Sequence, residues 1–244
     1  KGVNIGGSSA AAYLINASGE RASKAISGGA TTHYVYDEQG HVIEEATGAG
    51  ANIREYVWLG DMPLAQIESS GSIYYIHPDN LNTPQKITDG AMAIVWDYQQ
   101  QPFGEPNAAT TGTVPSNLRF PGQYADAEDA LNYNHFRDYD PSLGRYIEAD
   151  PMGLAAGLNL YGYVGQNPAI YADPFGLAQV KIGGNKITIH NNDPDPWPSN
   201  PHGHIYDKNQ VLDIEGNIYD KNTGQIVEQL SKKELAQWLE FLGD

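Results

Sequence analysis

The sequence predicts a mainly β protein that ends in a small α+β module, and three observations carry that prediction. From Ala11 to Gln101 apolar and polar residues alternate in short runs broken by Gly, Asn and Asp. Glycine (27), proline (15) and tyrosine (16) are abundant among the 244 residues, a bias toward short strands and turns. After Leu177 the composition breaks: all five arginines lie before it, whereas six of nine lysines and only Tyr206 and Tyr219 of the tyrosines lie beyond it.

Bulk composition narrows the function classes. With 40% hydrophobic and 18% charged residues the chain buries a core and is no disordered segment. Its mean hydropathy of -0.48, with no long apolar run, predicts no membrane-spanning helix. A net charge of -16 argues against the broad basic face of a nucleic-acid scaffold, so any such chemistry is local. The absence of cysteine removes disulfides, thiolate zinc sites and thiol nucleophiles together. The opening KGVNIGGSSA lacks an initiator methionine and a secretory signal pattern, and reads as the start of a piece of a longer chain.

The strand units follow in order. In HYVYDEQGHVIEEA, Tyr34 and Tyr36 alternate before a turn at Glu38-Gln39-Gly40, and Val42 begins the return strand of a hairpin. REYVWLGDMPLAQIE repeats the plan around Gly60-Asp61, and SIYYIHPDNLNTPQKITD and AIVWDYQQQPFGEP add two more units. A unit every 20 residues or so is a repeat architecture, whose members stack because none buries its own face. The texture changes over residues 119–177, which are dense in Tyr, Gly and Asp-Pro. From Ala178 the tail opens with the strand KITIH, passes into the proline-rich loop NNDPDPWPSNPHGH, and carries IYDKN twice, at Ile205 and Ile218, each copy predicted to begin a strand that runs into a turn. Ser231 and Glu234 form a capping box for a closing helix, with Leu235, Trp238, Leu239 and Leu242 as its apolar stripe. The expected domains are 1–118, 119–177 and 178–244.

Within 119–177 the residues RFPGQYAD, YNHFRDYDPSLGRYIEADP and GLNLYGYVGQNP accompany two DPxGL pentapeptides, Asp150 to Leu154 and Asp173 to Leu177, separated by 18 residues. With HYVYDEQGHVI as a YD repeat, residues 11–177 closely resemble the end of the β-shell of RHS/YD-repeat proteins, which include polymorphic toxins and the C component of Tc toxins. The resemblance implies a β-shell sealed by the 119–177 segment, self-cleavage between Leu177 and Ala178, and a variable toxin left loose inside. It further implies secretion and delivery into target cells, by a type VI or related machine with its spike or chaperone, in competition between bacteria. A cognate immunity protein for residues 178–244 belongs to the same picture. The tail itself resembles no family we can name.

The chemistry is also legible without the family. Asp150 and Asp173 are carboxylates on separate turns, each fixed by the following proline. Two carboxyls brought close share one proton, so one acts as base on a water and the other as acid on the scissile amide, in the manner of an aspartic protease. Arg145, five residues before Asp150, is the expected guanidinium partner. Asp-Pro-x-Gly is equally a type I turn sequence, and both readings can hold.

In the tail, His202 and His204 lie two apart on an extended segment and so face the same way, with His190 at a strand end and Asp207 and Lys208 close behind. This constellation suits a small nuclease in which a histidine moves a proton and Lys208 or Lys186 steadies phosphate charge. The reading needs no cofactor; a divalent metal on His202, His204 and an aspartate is its variant. A polar loop with locally bonded histidines is the plain alternative. The tail's six lysines against ten acidic residues count against an RNase. A non-enzymatic YD-repeat surface or adhesion protein, with the tail as an inert plug, is the alternative for the whole chain.

Overall fold

The computed structural model describes residues 2–5, 8–151, 153, 159–169, 171–177, 179–182, 184–190, 202–205 and 208–242; the side chains of 3–5, 8, 9, 179–181, 186, 188–190 and 240–242 lie outside that description. It is mostly antiparallel β. The first sheet is a meander of eleven strands in sequence order: β1 (Gly2–Ile5), β2 (Ser8–Ile15), β3 (Arg21–Ile26), β4 (Thr31–Tyr36), β5 (Val42–Thr47), β6 (Asn52–Leu59), β7 (Met62–Glu68), β8 (Ile73–Pro78), β9 (Pro84–Thr88), β10 (Ile94–Asp97) and β11 (Thr111–Gly112).

One local device makes many of these hairpins. The Asp37 Oδ1 accepts the N–H groups of Gln39 and His41, both at 2.9 Å, and Gly40, three residues on, takes φ +83°. A short acceptor at the first loop position therefore stands in for a backbone carbonyl, while the fourth position must enter the left-handed region. Asn16 with Gly19 repeats the arrangement, and so do Asp79 with Asn82 and Asp89 with Met92. The YD texture is thus a turn code.

Within residues 119–177 a second, four-stranded sheet spans 124–146, with β12 (Tyr124–Asp126), β13 (Leu131–Asn134), β14 (Arg137–Asp140) and β15 (Arg145–Tyr146). It packs on the first through Tyr124 and Tyr133, which join Tyr34, Tyr56, Ile76, Ile87 and Trp96 in one core. A buried cation pins the two sheets together. Arg21, 1% exposed, lies 2.5 Å from Asp126 and within 5.4 Å of the ring centres of Tyr13, Tyr34, Tyr124 and Tyr133. Lys24 adds ion pairs to Asp126 at 2.8 Å and Glu128 at 3.2 Å.

The third sheet has six strands in sequence order, β16 (Gln179–Ile182), β17 (Asn185–His190), β18 (His202–Ile205), β19 (Gln210–Leu212), β20 (Asn217–Asp220) and β21 (Ile226–Gln229), closed by α1 (Lys232–Leu242). The capping box forms reciprocally: Ser231 N–H donates to Glu234 Oε2 at 2.9 Å and Glu234 N–H to Ser231 Oγ at 3.4 Å. Trp238 is fully buried and meets Gly203, where a Cβ would lie 2.9 Å from its ring. Glycine is required there because the helix sits directly on β18.

Two local expectations are corrected. The end of the proline-rich stretch is not loop: His202, Gly203 and His204 are strand residues, paired with β17 and, from Gly203 on, with β19 as well. The first IYDKN copy opens on Ile205, the last residue of β18, and its Tyr206 and Asp207 lie outside the described residues; of the second copy Ile218, Tyr219 and Asp220 lie in β20, with Lys221 and Asn222 in the turn that follows.

Candidate active site

The buried face of β14 and β15 builds the site. Cross-strand partners share a face, and Tyr139 pairs with Tyr146. Strand alternation puts Arg137 on that same face, two residues before Tyr139. Arg137 is 2% exposed, and its guanidinium stands 3.6 Å from the ring centre of Tyr146. Its Nη2 lies 2.9 Å from Asp150 Oδ2 and 3.4 Å from Asp173 Oδ2, so a single nitrogen gathers both carboxylates. The remaining donors hold the backbone: Nε donates to Gly176 O at 2.5 Å and Nη1 to Leu160 O at 3.2 Å.

Both aspartates are buried, at 6% and 4% exposure for Asp150 and Asp173. Asp173 Oδ2 accepts the Tyr146 hydroxyl at 2.7 Å, and its Oδ1 accepts the Leu177 N–H at 3.0 Å. Burial pushes the Asp173 carboxyl up to about 6, against the pull of Arg137, Tyr146 and the Leu177 amide; the Asp150 charge adds to the rise. Desolvation wins because no solvent shares the charge. Such a group exchanges its proton near neutral pH, as a general acid must.

The pentapeptides are also turns. Gly153 N–H closes on Asp150 O at 3.0 Å, and Gly153 and Gly176 take φ of +61° and +66°. A Cβ on Gly176 would lie 2.5 Å from Asn134 O, and one on Gly122 would lie 1.8 Å from Pro174 O. These glycines let two backbones press the second pentapeptide into the sheet. Phe175 covers Gly40 of the β4–β5 hairpin and stands edge-on to His135 at 5.5 Å. Leu177, 4% exposed, is the last residue of the segment and packs in the core of the third sheet with Ile182, Ile187 and Trp238.

The expected arginine is corrected. Arg145 is exposed, because it alternates with buried Tyr146 on β15 and so faces away from the carboxylates. Arg137 takes that place. Sequence proximity to Asp150 misled; alternation about Tyr139 is the signal that would have found it. Tyr146 and Asn134 were missed too. Asn134 Nδ2 donates to Tyr146 Oη at 2.8 Å and to Asp173 O at 2.9 Å, orienting both. Ala178, the other side of the expected scissile bond, lies outside the described residues.

In the tail, His202 and His204 are 2% and 3% exposed, and their Nε2 atoms stand 2.8 Å apart. His190 is the Cα partner of His202 across β17 and β18, and its side chain lies outside the described residues. Lys208 is exposed on a turn beyond β18; Asp207 and the Lys186 side chain also fall outside the described set. Among the described residues no group of three or more His, Asp or Glu is placed to hold a metal ion, and no described helix is long and apolar enough to cross a membrane.

No family model matches the chain. Curated proteins do. The chain is 43% identical over 110 residues to double-stranded DNA deaminase toxin A of Burkholderia cenocepacia, covering 43% of this chain and 8% of that protein. It is 34% identical over 131 residues to the probable deoxyribonuclease RhsA of Dickeya dadantii, covering 52% and 9%. Toxin protein Tse5 of Pseudomonas aeruginosa is 36% identical over 115 residues, covering 43% and 8%. The chain thus spans less than a tenth of the length of these relatives. Among solved structures, TcdB2-TccC3-TEV aligns at a TM-score of 0.44 and 19% identity, over 69% of this chain and 10% of that one.

Proposed function

We infer that this chain is part of an RHS-type polymorphic toxin, a reading supported by its relatives and by its paired pentapeptides and YD hairpins. We propose that residues 119–177 form a self-cleaving segment that hydrolyses the bond between Leu177 and Ala178, and that the tail released is an enzymatic toxin acting on nucleic acid. One observation carries the first half: Arg137 gathers Asp150 and Asp173 in a buried site, and Asp173 holds the N–H of the residue whose carbonyl is to be cut.

The chemistry balances within the dyad. Asp150, the carboxylate nearer Arg137, takes a proton from water as its oxygen attacks the Leu177 carbonyl carbon. Asp173 gives its proton to the Ala178 nitrogen as the carbon–nitrogen bond breaks, leaving a carboxylic acid on Leu177, an amine on Ala178 and the dyad's proton on Asp150. Arg137 holds both carboxyls and, through Gly176 O, the approach of the chain, a positioning worth several orders of magnitude in effective concentration.

For the tail, the nucleic-acid target rests on the relatives' names and on the paired histidines, with His190 and Lys208 as further candidates. The surrounding shell, an immunity protein, a secretion spike or chaperone and delivery into target cells belong to the same proposal. A denaturing gel of the purified chain tests it: cleavage yields a fragment of roughly 7 kDa, from 67 residues at about 110 Da each. An intact chain after prolonged incubation, with folded spectra, would sink the self-cleavage reading. Expression of the tail in bacteria, with nucleic-acid ends read out, tests the second half.

A further inference from the structure

Two buried polar atoms beside the carboxylate pair have hydrogen-bonding capacity that the fold does not use. Asn134 is fully buried at the end of β13, and its Cα partner across the sheet is Arg137, so the two side chains share the site face. Its Nδ2 donates to Tyr146 Oη at 2.8 Å and to Asp173 O at 2.9 Å, which uses both hydrogens, whereas Oδ1 accepts nothing among the described residues. The second atom belongs to Tyr163, in the stretch between the pentapeptides. Its ring is stacked on Phe120 at 5.4 Å and stands edge-on to Tyr146 at 5.8 Å, so packing fixes where the hydroxyl lies. The Asp173 N–H faces its oxygen, and the hydroxyl proton has no acceptor among the described residues. Burial and the Asp173 charge raise that hydroxyl well above the ordinary tyrosine value, so it stays a neutral donor.

Unpaired groups in a buried site are costly, and these two are complementary: one acceptor and one donor. A water molecule held inside a protein makes about three hydrogen bonds. If it donates to Asp150 and to Asn134 Oδ1 and accepts from Tyr163 Oη, both its hydrogens and one lone pair are engaged, and the second lone pair is left to attack. We propose that Asn134 and Tyr163 position the hydrolytic water of the self-cleavage reaction against Asp150. This positioning rests on the self-cleavage reading and deepens it, because Asp150 alone can take a proton from water but cannot aim its oxygen. One hydrogen goes to Asp150 while Asn134 keeps the other, and the oxygen bonds to the Leu177 carbonyl carbon. The carbon–nitrogen bond then breaks as Asp173 gives its proton to the Ala178 nitrogen.

Tyr163→Phe is the decisive variant, since it removes one oxygen whose proton the fold does not use. Positioning of the water predicts cleavage about 10- to 100-fold slower at an unchanged Tm, the scale of a misplaced reactant. The break in the pH–rate profile near 6 should stay where it is, because burial, Arg137, Tyr146, the Leu177 amide and Asp150 set the Asp173 carboxyl, and Tyr163 does not. Asn134→Ala also removes the Nδ2 donor, so it is read in a cycle: residues that hold one water should give an Asn134→Ala/Tyr163→Phe chain no slower than the slower single variant. The purified full chain, cleaved in heavy-oxygen water, should carry the label on the Leu177 carboxyl. A parent that stays whole, or cleaves without label, overturns the self-cleavage reading and the water's positioning with it. Where the parent cleaves with label, a Tyr163→Phe chain that matches its rate, or whose Tm falls in step with its rate, overturns the positioning alone, as do losses that simply add in the double variant.

Discussion

The Leu177 N–H donates a 3.0 Å hydrogen bond to Asp173 Oδ1, four residues upstream in the same pentapeptide. The carboxyl proposed to act on the 177–178 bond is thereby tied to the residue that supplies its acyl carbon. Asp173→Asn keeps an acceptor for that N–H and the size of the side chain, but removes the transferable proton. We expect cleavage at least 100-fold slower for Asp173→Asn and for Asp150→Asn, the scale of a lost acid or base. Fragment appearance on a time-course gel measures it, and parental rates in either variant contradict the dyad.

The two arginines should behave oppositely. Arg137→Ala leaves two carboxylates facing each other in a buried site, so cleavage should vanish and stability fall by about 3–5 kcal/mol, the scale of breaking a buried ion pair. Arg145 is exposed on the far face, and Arg145→Ala should stay within about 0.5 kcal/mol of the parent with cleavage intact. Urea unfolding alongside the gel assay separates them; equal losses would return Arg145 to the site.

The sequence carried the hairpins because their code is local: an Asp or Asn acceptor and, three residues on, a Gly or other residue able to take positive φ. It also carried the carboxylate pair, since Asp-Pro-x-Gly marks both turns. The choice between arginines was not local. It depends on which face of a two-residue strand, β15, is covered, and Tyr146 and Arg145 are adjacent in sequence yet opposite in burial. The histidine strand was hidden for a similar reason. His202 to His204 end a proline-rich stretch that reads as loop, and only pairing with β17 and β19 draws them into the sheet. The union of Leu177 with the tail's core was likewise out of reach, because it rests on contacts made by residues as distant as Trp238.

Cleavage should depend on pH with a definite sign. Asp173 must be protonated to act as acid, and its carboxyl is raised to about 6, chiefly by burial. The rate should fall as pH rises through about 6, by about tenfold per unit above it. The linkage to stability runs the same way: a carboxyl raised in the folded state binds more protons there than when unfolded, so its contribution is present below the unfolded value near 4 and lost as pH rises through 6. Rates and urea midpoints from pH 4.5 to 8 test both. A rate that climbs through that window would show Asp173 to be the base.

The last prediction concerns the pin between the first two sheets. Arg21 is 1% exposed, ringed by four tyrosines, and finds its opposing charge in Asp126 on β12. Asp126→Ala strands both Arg21 and Lys24, and the loss should reach about 3–5 kcal/mol, because the uncompensated cations stay behind. The partly exposed Lys86–Asp97 pair makes the control: Lys86→Ala should cost no more than about 1 kcal/mol. The site lies on the sheet that Arg21 anchors, so Asp126→Ala should slow cleavage as well, although no atom of Asp126 is assigned to the reaction. The double variant Arg21→Met/Asp126→Leu removes both charges and refills the space with apolar atoms. If the pin acts only by holding the sheets together, that variant should regain most of the lost stability and, with it, the cleavage rate. Stability regained without cleavage would mean instead that the Arg21 charge itself reaches the dyad.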